Sequence, residues 1–254
     1  MNRRIIALLL ALVVVFALCA CSSGKDEESV PTDSPENTPE VSETPEPVKL
    51  PTELPESEDA GQEYIDKMTF LGDSTTYGLG YYEIVSKSQV WTDSAGTLAL
   101  FNQSTANIVY PASDEEILIV DAVKRAQPEY LVITLGVNGV AMMDEDYFKS
   151  EYTALIQSIQ AASPDTKIIC NSIYPVETSY EAKVPSINNA KIDAANVWIK
   201  QVAEETGTHF CNTASVLKAA DGSMDPVNGN GDGLHLCPTG FEKVMNYLRT
   251  HAYV

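Results

Sequence analysis

The stretch "KMTFLGDSTTYGLGYY", Lys67–Tyr82, starts with a short apolar run and then changes abruptly to small and polar residues. The run Met68–Leu71 has the composition of a strand that is covered on both faces. A serine, Ser74, follows where such a strand would leave the core of a domain. In parallel sheets, functional side chains collect at these carboxyl ends of strands, so Ser74 is a candidate functional residue.

Other parts of the chain show the same alternation of short apolar runs with longer segments of helical periodicity. Four further strands are predicted at Val90–Thr92, Tyr130–Leu135, Lys167–Ile173 and His209–Cys211. Three long helices are predicted at Asp144–Ala162, Ile187–Glu205 and Pro238–Arg249. Strands that alternate with helices are typical of βαβ units, so the sequence predicts an α/β fold with a parallel sheet between helical layers.

The N-terminal residues indicate export from the cytoplasm. A basic start is followed by the apolar run Ile5–Leu18, which is too short to span a bilayer and is typical of a signal peptide over residues 1–20. The run ends in "LCAC", which has the form of a bacterial lipobox and predicts Cys21 as the lipid-modified first residue of the mature protein. An ordinary cleaved signal or a short membrane anchor is the alternative.

Residues 21–61 are rich in Pro, Glu, Ser and Thr and contain few aliphatic side chains. Such a segment cannot bury enough apolar surface to offset its ordering entropy, so it is predicted to be a disordered tether. Residues 62–254 are predicted to form one domain. The expected location is the outer face of the bacterial cell membrane, with the lipid on Cys21 as the anchor.

The formal net charge of -20 limits the partners of the chain. Nucleic acid and anionic lipid surfaces both bind basic proteins, so neither is expected as a partner, and contact with the membrane is expected through the lipid anchor only. Three of the five cysteines, Cys170, Cys211 and Cys237, fall in the predicted domain. The odd number excludes full pairing, which leaves either a Cys211–Cys237 disulfide or buried free thiols.

Polar groups follow several of the predicted strands. Ser74 follows the first strand, Gly96 lies beyond the second, Asn138 follows the third, and Asp232 and His235 lie between the last strand and the last helix. Parallel strands end at one edge of a sheet, so a hydroxyl, a backbone amide, a side-chain amide, a carboxylate and an imidazole are predicted to meet there.

This combination of groups suits acyl transfer. A serine hydroxyl becomes a nucleophile when an imidazole removes its proton, and a carboxylate fixes the tautomer of that imidazole. His235 is the candidate base and Asp232 its partner. The amides of Ser74 and Gly96 and the side chain of Asn138 are candidate donors for an oxyanion hole.

At these residues the sequence resembles the SGNH, or GDSL-type, hydrolase family. The matching blocks are "FLGDSTTYG", "TLGVNGV" and "DGLHLCPTGFEKV", which occur in the family's order, and the resemblance covers the chain from about Ile65 onward. It implies a flavodoxin-like three-layer α/β/α sandwich. It also implies Ser74, Asp232 and His235 as the catalytic triad, with Asn138 and Gly96 in the oxyanion hole.

The sequence departs from the family pattern in two places. Gly139 follows Asn138, where the family often has Asp, so an orienting contact of that loop is missing or replaced. The block "DSAGTLALF" offers Gly96 as its only glycine, and it is the least distinctive of the blocks.

Simpler roles exist for several of these residues. Ser74 could cap a helix, and Asp73 is predicted to have a capping or hydrogen-bonding role rather than a chemical one. The segment Asn228–Gly233 imitates the start of a calcium loop, but Thr239 stands where an EF-hand needs Glu, so neither a metal nor a cofactor is expected. Aromatic residues near Ser74 are either core or a platform for a sugar ring: Tyr77, Tyr81, Tyr82 and Trp91.

The leading hypothesis is an extracytoplasmic serine esterase that acts on short acyl esters, with O-acetylated cell-wall or extracellular carbohydrate as the expected substrate. Hydrolysis of lysophospholipids or other lipid esters is an alternative. A second class of hypothesis is an O-acyltransferase that passes the acyl group to a glycan hydroxyl. A third is a tethered binding module without catalysis.

Overall fold

Seven strands occur in the computed structural model, which describes residues 50–253. They are β1 Met68–Gly72, β2 Val90–Trp91, β3 Asn107–Tyr110, β4 Glu115–Leu118, β5 Tyr130–Thr134, β6 Lys167–Asn171 and β7 His209–Cys211. Five of them form a parallel sheet in the order β2-β1-β5-β6-β7, and β3 and β4 form a separate antiparallel hairpin. The predicted signal peptide, the lipidation site Cys21 and the tether as far as residue 49 lie outside the described residues.

The central strands are apolar on both faces because helices cover both sides of the sheet. Leu71 of β1 is paired with Ile133 of β5, which is paired with Cys170 of β6, and all three side chains are fully buried. The side chains on both faces of these strands are therefore buried, which explains the unbroken apolar runs in the sequence.

Within residues 50–253, seven α-helices surround the sheet. They are α1 Gln62–Asp66, α2 Ser74–Tyr81, α3 Ile119–Ala126, α4 Glu145–Ala162, α5 Thr178–Lys183, α6 Asn189–Thr206 and α7 Pro238–Thr250. Buried side chains of α3, α4 and α6 form one core with the sheet, and those of α1, α2 and α7 form a second core. The predicted three-layer α/β/α fold with a central parallel sheet is confirmed.

The long helices begin and end where local chemistry favours it. The Asp144 carboxylate caps α4 by accepting the Tyr147 N–H at 3.0 Å, and α6 ends at Gly207 in the left-handed conformation. The predicted bounds agree with the observed bounds within two residues. The β3–β4 hairpin was not predicted, because its strands are short and half exposed.

Residues 50–61 correct the predicted domain boundary. The N–H of Leu54 donates to the Phe210 carbonyl at 2.9 Å, and the N–H of Phe210 donates to the Thr52 carbonyl at 2.7 Å, so this segment covers the outer edge of β7. Leu54 is buried in the second core, and Asp59 forms an ion pair with Arg249. The ordered contacts of the domain therefore extend to residue 50 and do not begin at residue 62.

The three cysteines of the domain are free thiols. Cys170 and Cys211 are buried and Cys237 is partly exposed, so of the two alternatives left open by the sequence the structure has the unpaired one. Burial raises the pKa of Cys170 to about 12, which keeps this thiol protonated and unreactive. Within residues 50–253, no helix has both the length and the apolar character that crossing a bilayer requires.

We predict that Leu54→Ala destabilises the domain. Removing a fully buried leucine side chain costs about 2–5 kcal/mol, and Leu54 is only 2% exposed. The free energy of unfolding, measured by urea denaturation of residues 50–254, should fall by this amount. The exposed neighbour Glu58 is the control, since Glu58→Ala should leave stability nearly unchanged. Equal stability of both variants and the wild type would show that the segment does not contribute to the domain.

Candidate active site

Ser74 is the first residue of α2, directly after β1. The helix is capped by Asp73, whose Oδ1 accepts hydrogen bonds from the Thr75 N–H at 3.0 Å and the Thr75 hydroxyl at 2.7 Å. Asp73 therefore has the predicted capping role, and the Ser74 hydroxyl is not needed for it. As the first helical residue, Ser74 also has an N–H without a partner inside the helix.

The Ser74 hydroxyl, the His235 ring and the Asp232 carboxylate form a continuous chain of hydrogen bonds. Ser74 Oγ lies 2.8 Å from His235 Nε2, and His235 Nδ1 lies 2.7 Å from Asp232 Oδ2. Residues 161 positions apart in the sequence thus meet at one end of the sheet. With Nδ1–H donating to the carboxylate, Nε2 is the acceptor that faces the serine hydroxyl.

The loop before α7 holds Asp232 and His235 in this arrangement. Asp232 Oδ1 accepts the backbone N–H groups of Leu234 at 2.8 Å and His235 at 2.9 Å. The side-chain oxygen of Asn230 accepts the Asp232 N–H at 3.0 Å, and the backbone N–H of Asn230 donates to the His235 carbonyl at 2.9 Å. Gly233 adopts a φ of 88°, which a glycine tolerates best. The spacing of Asp and His is therefore fixed by backbone hydrogen bonds.

The ionisation of Asp232 follows from these contacts. Partial burial would raise its pKa, but the hydrogen bonds from the His235 N–H and ring and from the Leu234 N–H outweigh burial and lower the pKa to about 2. The carboxylate is therefore charged at any pH near neutrality and can stabilise a protonated imidazole.

The loop between β2 and β3 brings Gly96 against Ser74. A Cβ atom added to Gly96 would lie 3.5 Å from Ser74 Cβ, and Gly96 has a φ of 67°. Its N–H, however, donates to the Asp93 carbonyl at 3.2 Å. Gly96 was predicted to be an oxyanion donor, and the structure instead uses its amide to close a turn.

Asn138 is joined to the same loop. Its side-chain nitrogen donates one hydrogen bond to the Leu98 carbonyl at 3.1 Å. A primary amide has two N–H groups, so a second donor remains on Asn138. The second N–H of Asn138 and the backbone N–H of Ser74 are therefore two donors that take no part in the hydrogen bonds of a helix or a turn.

Asp93 organises this loop, and sequence reasoning did not identify it. Its Oδ1 accepts the Leu98 N–H at 3.0 Å, and its Oδ2 accepts the Thr97 hydroxyl at 2.9 Å. The signal in the sequence is an Asp followed by a Thr four residues later in a segment containing Gly, which is common in side-chain-bonded turns.

Gly139, which departs from the family pattern, has a packing role. A Cβ at this position would lie 2.9 Å from the sulfur of Met143, and both Gly139 and Val140 donate backbone hydrogen bonds to the Gly136 carbonyl. The loop that carries Asn138 is therefore held by its own backbone turn. This replaces the orienting contact that an Asp side chain would provide.

A second carboxylate, that of Asp73, directly precedes Ser74 in the chain. Asp73 is 1% exposed, and its Oδ2 has no hydrogen-bond partner among residues 50–253. Burial raises the pKa of Asp73 to about 6; the Thr75 hydrogen bonds and, more weakly, the charge of His235 oppose this rise. The Gly136 N–H also opposes it, although this group forms no hydrogen bond with Oδ2.

A cleft of 330 Å³ opens at Ser74 and His235, and its wall includes Tyr77, Tyr81 and Tyr82. Trp91, by contrast, is 2% exposed and packs in the core, so it cannot belong to a platform for a sugar. No group of three His, Cys, Asp or Glu residues in the described part of the chain is arranged to hold a metal ion.

The other two histidines serve structural roles away from this cleft. His209 Nδ1 lies 2.9 Å from the Pro51 carbonyl, and His251 Nδ1 lies 3.0 Å from the Tyr247 carbonyl.

Comparisons with known proteins agree with the fold. The sequence model of the GDSL-like lipase/acylhydrolase family matches residues 70–243, which is more than half of the chain. No curated protein matches the chain significantly in sequence.

Several solved structures have the same fold. A Streptococcus pneumoniae protein described as a platelet activating factor has a TM-score of 0.57 and 19% identity, over 72% of this chain and 82% of its own. A GDSL-like lipase from Bacteroides thetaiotaomicron has a TM-score of 0.54 and 17% identity, over 73% of this chain and 87% of its own. The periplasmic domain of a lipopolysaccharide acetyltransferase from Salmonella Paratyphi A has a TM-score of 0.50 and 19% identity, over 72% of this chain and 82% of its own. At these identities the likeness concerns the fold alone.

We predict that Asp73 makes stability depend on pH. Its pKa is raised from 3.8 to about 6 on folding, so the folded state holds this proton more tightly, and the corresponding stability is present below pH 4 and lost as the pH rises through 6. Asp73→Asn retains the Oδ1 acceptor but cannot ionise. Between pH 4 and pH 8, the stability of the wild type relative to Asp73→Asn should fall by about 2–3 kcal/mol.

Urea denaturation across this pH range measures the difference. Asp121→Asn, an exposed change on α3, should track the wild type at every pH. If the free energy of unfolding changed with pH in the same way for the wild type and Asp73→Asn, the prediction would be contradicted.

Proposed function

The chain belongs to the GDSL-like lipase/acylhydrolase family and is an ester-hydrolysing enzyme, and we propose that it is a serine esterase that removes short acyl groups, acetyl above all, from carbohydrate hydroxyls. The observation that carries the proposal is the unbroken relay from Ser74 Oγ through both ring nitrogens of His235 to Asp232, with distances of 2.8 and 2.7 Å. The substrate is expected to be cell-wall or extracellular carbohydrate.

In the first step, Ser74 Oγ attacks the ester carbonyl while His235 Nε2 takes the hydroxyl proton. The charged imidazole is stabilised by Asp232, which remains ionised because of its low pKa. His235 then returns the proton to the leaving alcohol oxygen, and the C–O bond of the ester breaks to leave an acyl group on Ser74. Water, deprotonated by His235, attacks this acyl-enzyme and releases the carboxylic acid.

The tetrahedral intermediates of both steps carry a negative oxygen. The Ser74 N–H and the second N–H of Asn138 are the donors we assign to it, and each such donor contributes about 3 kcal/mol of transition-state stabilisation. The Gly96 backbone lies beside Ser74 and forms the wall of the oxyanion hole. Its amide could join the donors only by giving up the hydrogen bond to Asp93.

The size of the cleft supports a small ester. Its volume of 330 Å³ is at the lower end of the range for ligand sites, roughly 300–1,000 Å³. The polar groups of Asn230 and His235 and the tyrosine rings line it together, which suits a hydroxylated ring better than a long acyl chain.

We also propose that the enzyme acts outside the cytoplasm, held by a lipid on Cys21 to the outer face of the cell membrane. The lipobox "LCAC" and the acidic segment that follows it support this location. A tether of this composition would extend the domain away from the membrane toward cell-wall or extracellular glycans.

For the chemistry, we predict that Ser74→Ala lowers kcat/KM for 4-nitrophenyl acetate by at least about 10³-fold, since loss of the nucleophile leaves only the oxyanion hole and binding. Ser150→Ala, an exposed serine on α4, should retain wild-type activity. Covalent labelling by a fluorophosphonate should occur in the wild type and be absent in Ser74→Ala.

Equal activity of Ser74→Ala and the wild type would refute the serine mechanism. With an acetylated glycan donor and a second glycan as acceptor, release of free acetate identifies a hydrolase. Appearance of the acetyl group on the acceptor would identify an acyltransferase instead.

For the location, we predict that Cys21→Ser abolishes labelling of the protein by radioactive palmitate in bacterial cells, since the acyl chains would be attached to this residue. Cys19→Ser, two residues earlier, is the matched control and should leave the protein in the membrane fraction and labelled by radioactive palmitate. Labelling of Cys21→Ser to the same extent as the wild type would rule out the lipid anchor at Cys21.

A further inference from the structure

Two exposed tyrosines lie on the same face of α2 as the nucleophile. Tyr77 and Tyr81 follow Ser74 by three and seven residues, a spacing that aligns side chains along one side of a helix. Tyr77 is 53% exposed and Tyr81 is 64% exposed. Their ring centroids are 6.1 Å apart and the rings are tilted by 32°, so the two faces form one continuous aromatic surface next to Ser74.

This surface is supported from below. The ring of Tyr82 packs edge-on against Tyr81, with centroids 4.9 Å apart, and lies 6.2 Å from the ring of Phe241. Phe241 is buried and occupies the space above Gly78, where a Cβ would lie 2.6 Å from the ring. An aromatic surface braced in this way loses little further freedom when a ligand binds.

The pair of tyrosines separates two clefts. One is the cleft of 330 Å³ that contains Ser74 and His235. The other has a volume of 630 Å³ and extends past the tyrosines toward Lys87, Asp93 and Asp114. Both clefts are lined by Tyr77 and Tyr81, so one ligand can occupy both by lying across the two rings.

The position of His235 fixes which part of an ester meets these rings. Because the imidazole returns its proton to the leaving oxygen, the alcohol part of the substrate has to lie on the His235 side of Ser74. Tyr77 and Tyr81 line that same cleft. The aromatic surface therefore contacts the alcohol part and not the acyl group.

The lining of the larger cleft indicates the chemistry of this alcohol. Besides the two ring faces it offers the hydroxyls of Ser88 and Ser94, the ammonium of Lys87 and the carboxylates of Asp93 and Asp114. Asp93 and Ser88 already form hydrogen bonds within the protein, but a hydrocarbon chain would remove the polar groups of Lys87, Ser94 and Asp114 from water without compensation, at a cost of about 1–3 kcal/mol for each. A sugar satisfies them with its hydroxyls and places the C–H face of its ring on the negative face of a tyrosine.

We propose that the Tyr77–Tyr81 pair and the larger cleft form a carbohydrate subsite, which binds sugar units next to the esterified one in a neutral, O-acylated oligosaccharide. The inference rests on the proposed esterase function and extends it, because it makes the number of sugar units in the substrate a determinant of activity. The two carboxylates and the single lysine of the cleft favour a neutral glycan over a polyanionic one.

The test compares an oligosaccharide ester with an ester that is too small to reach the subsite. For the wild type, kcat/KM should rise from acetylated monosaccharides to acetylated hexasaccharides of xylose, glucose or N-acetylglucosamine. For Tyr81→Ala, the ratio of kcat/KM on the acetylated hexasaccharide to that on methyl acetate should fall about tenfold, which corresponds to the loss of one aromatic contact. Tyr81→Trp retains a ring face and should restore the ratio.

Tyr147→Ala is the matched control, since Tyr147 is 44% exposed on α4, away from both clefts, and the ratio should stay at the wild-type value. A ratio unchanged in Tyr81→Ala, or a wild-type rate independent of chain length on all three sugar series, would overturn the subsite.

A binding measurement separates this inference from the esterase proposal. Unacetylated hexasaccharides are titrated into Ser74→Ala and into the double variant Ser74→Ala/Tyr81→Ala by calorimetry. Binding that is weakened about tenfold by the second change supports the subsite even if Ser74→Ala turns out to be active, a result that would refute only the catalytic mechanism. Failure of every hexasaccharide to bind Ser74→Ala would refute the subsite while leaving the esterase activity on aryl esters standing.

Discussion

The turn from β1 into α2 has to bring the backbone of Gly72 against both the Thr76 side chain and the Thr134 carbonyl on the neighbouring strand. Any Cβ at position 72 would overlap both groups, so a glycine is required there. This close approach starts α2 at the very end of the strand and puts Ser74 on the rim of the sheet. The Asp73 carboxylate accepts the Thr75 N–H and so caps the helix, which leaves the Ser74 hydroxyl for His235.

The sheet and the serine–histidine relay could be predicted because each leaves a local signal. The strands β1, β5 and β6 are buried on both faces, so they appear as unbroken apolar runs. The long helices carry regular apolar spacing, and Gly or Pro marks some of their ends, since α6 ends at Gly207 and α7 begins at Pro238. Ser74 and the Asp232–His235 pair were predicted to meet because parallel strands deliver their carboxyl ends to one edge of a sheet.

Other features depend on contacts that leave little local signal. The segment 50–61 has the composition of the disordered tether, and its order derives from one buried leucine, Leu54, and from backbone hydrogen bonds to β7. Whether the Gly96 amide is free or bonded to Asp93 depends on the conformation of one turn, which composition does not determine. Likewise, the burial of Trp91 and the exposure of Tyr81 follow from tertiary packing alone.

Two carboxylates near His235 have pKa values that are shifted in opposite directions, and Asp232 is the one that is hydrogen-bonded to the imidazole. Asp232 is partly exposed and accepts two backbone N–H groups as well as the ring N–H, so its pKa is lowered to about 2. Asp73 is buried, with one oxygen unpaired, so its pKa is raised to about 6. Environments that separate two pKa values in this way commonly divide roles between acidic groups. Asp232 supplies a constant charge to His235, whereas the charge of Asp73 appears only as the pH rises through 6. The electrostatic potential at His235 therefore becomes more negative as the pH rises through 6. Over the same pH range, the ionisation of the buried Asp73 carboxylate lowers the stability of the fold.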